Sequence, residues 1–187
     1  MKRVETDLGI PVQTRVERIR PDSPDLFLSP LLFLHGRNSF TLSAPDVKNL
    51  RDYFDRGGFL FANAICASSR FTSSFASEMK KVFPDAELKP IPTDDPLFSN
   101  RYGGYAVEKL DIRKPARQGG RKLETTVHQE PPELLGIQKE GRWIVVFSPD
   151  DVSCALEKSG AVECSGYSPE SAFKLSVNIL LYAMEHL

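Results

Sequence analysis

The chain reads as one α/β domain, residues 1–187, built on a mostly parallel sheet with helices on both faces. Three observations predict this. Two short apolar runs, Leu31-Leu32-Phe33-Leu34 and Phe59-Leu60-Phe61-Ala62, have the length and character of strands buried on both faces. Each is followed by a segment whose apolar residues recur at helical spacing. The composition, 41% hydrophobic and 26% charged over 187 residues, suits one domain with a proper core.

Taken in order, residues 12–19 alternate Val12, Thr14, Val16 and Arg18 against more polar neighbours, which predicts an edge strand. Residues 31–34 end at His35-Gly36-Arg37-Asn38, the pattern of a central parallel strand opening into a loop. Ser43 then caps a helix with Pro45 and Asp46 in its first turn, Val47, Leu50 and Phe54 share a face, and Gly57-Gly58 stops it. Residues 59–62 form the second buried strand, and Phe71, Phe75, Met79 and Val82 lie on a second helix ending before Pro84. A right-handed crossover between two parallel strands puts their ends, at His35 and Cys66, on one edge of the sheet, where ligands bind in such folds.

The stretch 85–132 is rich in Pro, Gly and charge. It predicts a strand over 105–112 and a mobile loop over 115–121. Residues 143–148 read as another strand, joined through 136–141 to a partner near Leu134-Leu135, a hairpin that adds antiparallel character. Ser168 caps a last helix with Pro169 at its first position, and residues 173–184 are apolar on most faces.

Several of these segments carry a family resemblance. Leu34-His35-Gly36-Arg37, Gly57-Gly58-Phe59-Leu60-Phe61-Ala62, the spacing of Phe71, Phe75 and Met79, and residues 142–149 and 154–167 together resemble the prokaryotic domain of unknown function 4159 family, over about residues 30–187. The resemblance implies a three-layer fold similar to class I glutamine amidotransferases and their flavodoxin-like relatives, and no established activity. It also implies an atypical or truncated start over 1–29, because relatives carry an extra strand and helix ahead of it.

Cys66, in Ala64-Ile65-Cys66-Ala67-Ser68, sits at a strand-to-helix junction and resembles a relaxed nucleophile elbow, with alanine and serine where G-x-[SC]-x-G has glycine. Amides opening the next helix would lower its pKa. Cys66 with His35 as base and Asp150 as orienting carboxylate is the catalytic set this predicts, although no histidine follows the late strand to complete the usual triad. The competing reading makes Cys66 a small buried hydrophobe. His35, Gly36, Arg37, Arg70 and Asp151 are the ligand-binding candidates, lying just beyond strand ends. Cys66, Cys154, Cys164 and His35 form a three-cysteine, one-histidine metal alternative whose spacing departs from C-x2-C. A Cys154–Cys164 disulfide and plain thiols are the other readings of the late cysteines.

With 24 Lys and Arg against 25 Asp and Glu, the net charge of -1 gives no field for nucleic acid. No apolar run approaches the roughly 20 residues of a membrane span, and the charged amino terminus offers no signal-peptide core, which predicts a cytoplasmic protein. No cofactor is expected. The leading function is a small-molecule-binding or interaction module. The alternatives are a cysteine-dependent hydrolase or amidotransferase-like enzyme, and a structural subunit that meets a protein partner or its own copies.

Overall fold

The computed structural model describes residues 2–9, 17–118, 122–157 and 164–186. The expected strand over 12–19 falls largely outside them. The chain opens with α1 (Lys2–Leu8) and reaches a short 3-10 turn, Pro24–Leu28, capped by Ser23. It continues through β1 (Leu31–Gly36), α2 (Ala44–Asp55), β2 (Phe59–Ala64), α3 (Ser69–Val82) and β3 (Lys89–Pro90). Then come β4 (Leu110–Gln118), β5 (Lys122–Glu130), β6 (Leu135–Lys139), β7 (Arg142–Ser148), α4 (Ser153–Leu156), β8 (Gly166–Tyr167) and α5 (Pro169–Glu185).

The helix starts are written in side chains. Ser43 accepts from the Asp46 N–H while Asp46 accepts from the Ser43 N–H, a reciprocal capping box at α2. Ser68 caps α3 and Ser168 caps α5, the latter with Pro169 at the first position.

The strands form two sheets. One has the order β1-β2-β7-β6-β3, the other β5-β4-β8. β2 is the buried heart of the first, and its side chains alternate between two cores. Phe59 and Phe61 meet Leu175, Ile179 and Tyr182 of α5 and Leu110 and Ile112 of the second sheet. Leu60, Ala62 and Ala64 meet Leu50 and Phe54 of α2 and Phe71, Phe75 and Met79 of α3. Phe75 is fully buried and stacks on Phe147 with ring centroids 4.6 Å apart.

The expectation of a mostly parallel, three-layer flavodoxin-like or class I glutamine amidotransferase-like sheet is overturned. Among the described residues β1/β2 and β2/β7 are parallel, whereas β7/β6, β6/β3, β4/β5 and β4/β8 are all antiparallel. The cause is connection length. β6 returns to β7 through Glu140 and Gly141, both at positive φ (54° and 77°), and two residues can join only antiparallel neighbours. A parallel pair needs a crossover of a dozen residues or more.

Two local expectations also change. Residues 115–118, expected in a loop, extend β4 and pair with 122–125 of β5. Among the described residues β1 is an edge strand rather than a central one, paired with β2 on one side, and Phe33 stays 47% exposed. A run of four apolar residues does not distinguish these cases, because an edge strand over a cavity needs apolar side chains too.

Phe75→Ala should destabilise the protein by about 3–5 kcal/mol, since it empties a site packed between α3 and the sheet. Chemical denaturation should show a lower midpoint at unchanged slope.

Candidate functional site

The parallel register sets the geography. His35 lies opposite Asn63, and Asn63 opposite Ser148, so β1, β2 and β7 all end at one edge of the sheet. Cys66 leaves β2 through a tight 3-10 turn, Ile65–Ala67, in which both Cys66 (φ 53°) and Ala67 (φ 52°) occupy the left-handed region. That conformation costs an L-residue of order 1–2 kcal/mol and holds only where surrounding contacts fix it.

The contacts that fix it converge on Asp151, a carboxylate that is 1% exposed. Its Oδ2 accepts from the Cys66 N–H at 2.6 Å, and its Oδ1 accepts from the Cys154 N–H at 3.0 Å and the Ser153 hydroxyl at 3.1 Å. Asn63, fully buried at the end of β2, braces the same turn. It donates to the Asp150 carbonyl at 2.8 Å and accepts from the Ser153 hydroxyl at 2.9 Å. Gly166, at φ 153°, bridges Asp151 from the second sheet, and the Tyr167 N–H donates to the Asp151 carbonyl at 2.9 Å.

Cys66 is bonded to Cys164, with Cα atoms 4.7 Å apart and a sequence separation of 98. The disulfide therefore joins the end of β2 to the approach of β8, one sheet to the other. The late cysteines are not paired with each other. Cys154 keeps its thiol, which burial and then the adjacent Asp151 push up to about 11. Among the described residues Cys66, Asp151, Cys154 and Cys164 form a group whose ligand atoms all lie within 4.8 Å of one another.

The remaining candidates separate into two places. His35 stacks near Phe33, ring centroids 5.0 Å apart, and among the described residues no hydrogen bond links it to Cys66 or Asp150. Asp150 is raised above the ordinary carboxylate range, by burial first and then by Glu133. Arg70 is exposed on the first turn of α3. His35, Gly36 and Arg37 line a cavity of about 470 Å³ under β1, with Leu32, Leu34 and Phe71 among its walls. The loop over that cavity is pinned to α3: Ser74 Oγ accepts from the Phe40 N–H at 2.9 Å, and Glu78 accepts from the Leu42 N–H at 2.9 Å. Burial opposes the charge on Glu78, but Lys81 and the Leu42 N–H outweigh it and hold the carboxyl below the usual glutamate range.

Asn63, Ser153 and Gly166 were not among the residues singled out from the sequence. An asparagine following the apolar run Phe59-Leu60-Phe61-Ala62, three residues before Cys66, was the available signal for the first of them.

The family described as a domain of unknown function (DUF4159) matches residues 1–184, and the chain belongs to it. No curated protein matches the chain. Among the described residues no helix is long and apolar enough to cross a membrane.

Two outcomes follow from this geometry. Peptide mapping without reductant should recover a fragment linking Cys66 to Cys164, and reduction should remove up to about 4–5 kcal/mol of stability for a loop of this length in the chain-entropy account, read as a lower unfolding midpoint. Gly166→Ala should destabilise by about 2 kcal/mol or more, because its Cβ would fall 2.5 Å from the Asp151 carbonyl oxygen at a φ that alanine resists. A Gly166→Ala protein as stable as the parent would show that the Asp151 turn can shift freely.

Proposed function

We propose that this DUF4159 member is a binding module for a small, largely apolar molecule with an anionic group, held in the cavity under β1. The carrying observation is the cavity itself. At about 470 Å³ it has the size of a small-molecule site, and its walls include Leu32, Leu34, Phe40, Leu42, Phe71 and Met79. Arg37 supplies the polar element that such sites use for orientation, and a guanidinium favours a carboxylate, sulfonate or phosphate.

The local structure supports a preformed site. The Ser68 hydroxyl donates to the Arg37 carbonyl at 2.6 Å, tying the mouth to the turn that begins α3. Gly36 admits the edge of the Phe71 ring, which a Cβ at that position would meet at 2.5 Å. A protein partner is the second reading, favoured by the place of β1 at the sheet edge among the described residues and by the exposed Phe33 on it.

The probe that tests the first reading is 8-anilinonaphthalene-1-sulfonate, which joins fused apolar rings to a sulfonate. The folded chain should bind it saturably at one site. Arg37→Ala should weaken binding by roughly tenfold, the loss of one charge-assisted hydrogen bond. Leu34→Trp, which fills the cavity, should abolish binding while circular dichroism stays native. Binding that survives Leu34→Trp unchanged would overturn the assignment.

A further inference from the structure

The thiol and carboxylate group at the ends of β2 and β7 stands apart from the proposed binding cavity and has chemistry of its own. Asp151 and Cys164 are 1% and 2% exposed, and Cys66 and Cys154 are partly exposed. Three sulfurs and one carboxylate oxygen lie within 4.8 Å of one another. A tetrahedral zinc-type ion with bonds of about 2.3 Å to sulfur and about 2.1 Å to oxygen sets its ligands roughly 3.5–3.8 Å apart. The group has the donor set for that ion, and the bonded sulfurs must part to reach its ligand spacing.

Two further observations point to a cation. Asp151 is a buried carboxylate with no Lys, Arg or His ion pair among the described residues, although three donors orient it. Its Oδ2 also lies 2.9 Å from Cys164 Sγ. A disulfide sulfur has no hydrogen to donate, so in the oxidised chain this contact sets one electron-rich atom against another. A cation turns the same proximity into shared coordination. The Cys66 and Cys154 N–H groups act as the outer partners that orient a ligating carboxylate. Arg113, which acts electrostatically on Cys154, offsets the excess negative charge that three thiolates and a carboxylate leave around a divalent ion.

We propose that reduction of the Cys66–Cys164 bond converts this group into a tetrahedral site in which Cys66, Cys154, Cys164 and Asp151 hold one zinc-type divalent cation. An external dithiol reductant supplies two electrons and two protons, is released as its own disulfide, and leaves two thiols. Binding of the cation releases the three thiol protons to solvent, and the carboxylate enters already ionised. Oxidation by a disulfide oxidant of the same class reverses the sequence and expels the ion. The same two cysteines thus serve either as a covalent link or as two of four ligands.

The test is a Co²⁺ titration of the full chain, reduced with a phosphine and freed of metal with a chelator. One equivalent should produce thiolate-to-cobalt charge transfer in the near ultraviolet and visible bands of tetrahedral intensity, both removed by Zn²⁺. The disulfide form should show neither. Cys154→Ser leaves the Cys66–Cys164 bond intact, so its oxidised form provides a folded starting point, and after reduction its affinity should fall roughly 100-fold or more. A reduced, folded chain without charge transfer would overturn the proposal. So would bands that persist unchanged in Cys154→Ser or in the oxidised chain.

Discussion

The buried carboxylate of Asp151 is the constraint on which this end of the molecule depends. It lies just past β7, receives the amide that follows β2, receives the amide that opens α4, and meets β8 through its own backbone. A carboxylate hidden from water costs several kcal/mol unless hydrogen bonds compensate it, so each of these donors is obligatory rather than decorative. The left-handed backbone at Cys66 and Ala67 goes with it: this turn aims the Cys66 N–H at Oδ2 while keeping its sulfur beside Cys164. Local strain is tolerated because the carboxylate needs the donor.

The two functional regions share a scaffold but not a chemistry. The parallel trio β1-β2-β7 delivers all its strand ends to one edge, and from there the surroundings diverge. Under β1 the walls are aliphatic and aromatic, with the Arg37 guanidinium among the lining residues. Past β2 and β7 the space is lined by sulfur and carboxylate. Ser68 stands between them, capping α3 on one side and holding the Arg37 carbonyl on the other, so the turn that presents Cys66 also steadies the cavity mouth.

Helices and buried strands were legible in the sequence wherever local chemistry dictates them. Ser43 with Asp46, Ser68 ahead of Phe71, and Ser168 with Pro169 announce helix starts because a cap is a short-range bond between neighbours. The antiparallel hairpin of residues 135–139 and 142–148 was legible from its short glycine-containing turn, whereas the antiparallel pairings of β3, β4 and β8 were not. Extending that hairpin's significance to β3, and recognising the second sheet, requires pairings between segments that carry no mark of their partner. The same limit applies to the candidate site. The residue types Cys66, Asp151, Cys154 and Cys164 stood out, but the pairing of Cys66 with Cys164 across 98 residues is a tertiary fact without a spacing signature.

That pairing bears on how the chain finds its fold. The β2/β7 ladder joins residues such as Leu60 and Val145, a long-range contact whose closure costs entropy before it yields any packing. Most of the intervening chain, including β3, β4, β5 and β6, lies inside the ring that Cys66–Cys164 closes. In an oxidised unfolded chain the ends of that ring are already together, so β2 searches for β7 within a small volume. The reduced chain must make the same encounter across the full contour. The redox state of two cysteines thereby sets the effective contact order of the central sheet, and an oxidised chain is expected to assemble it faster than a reduced one.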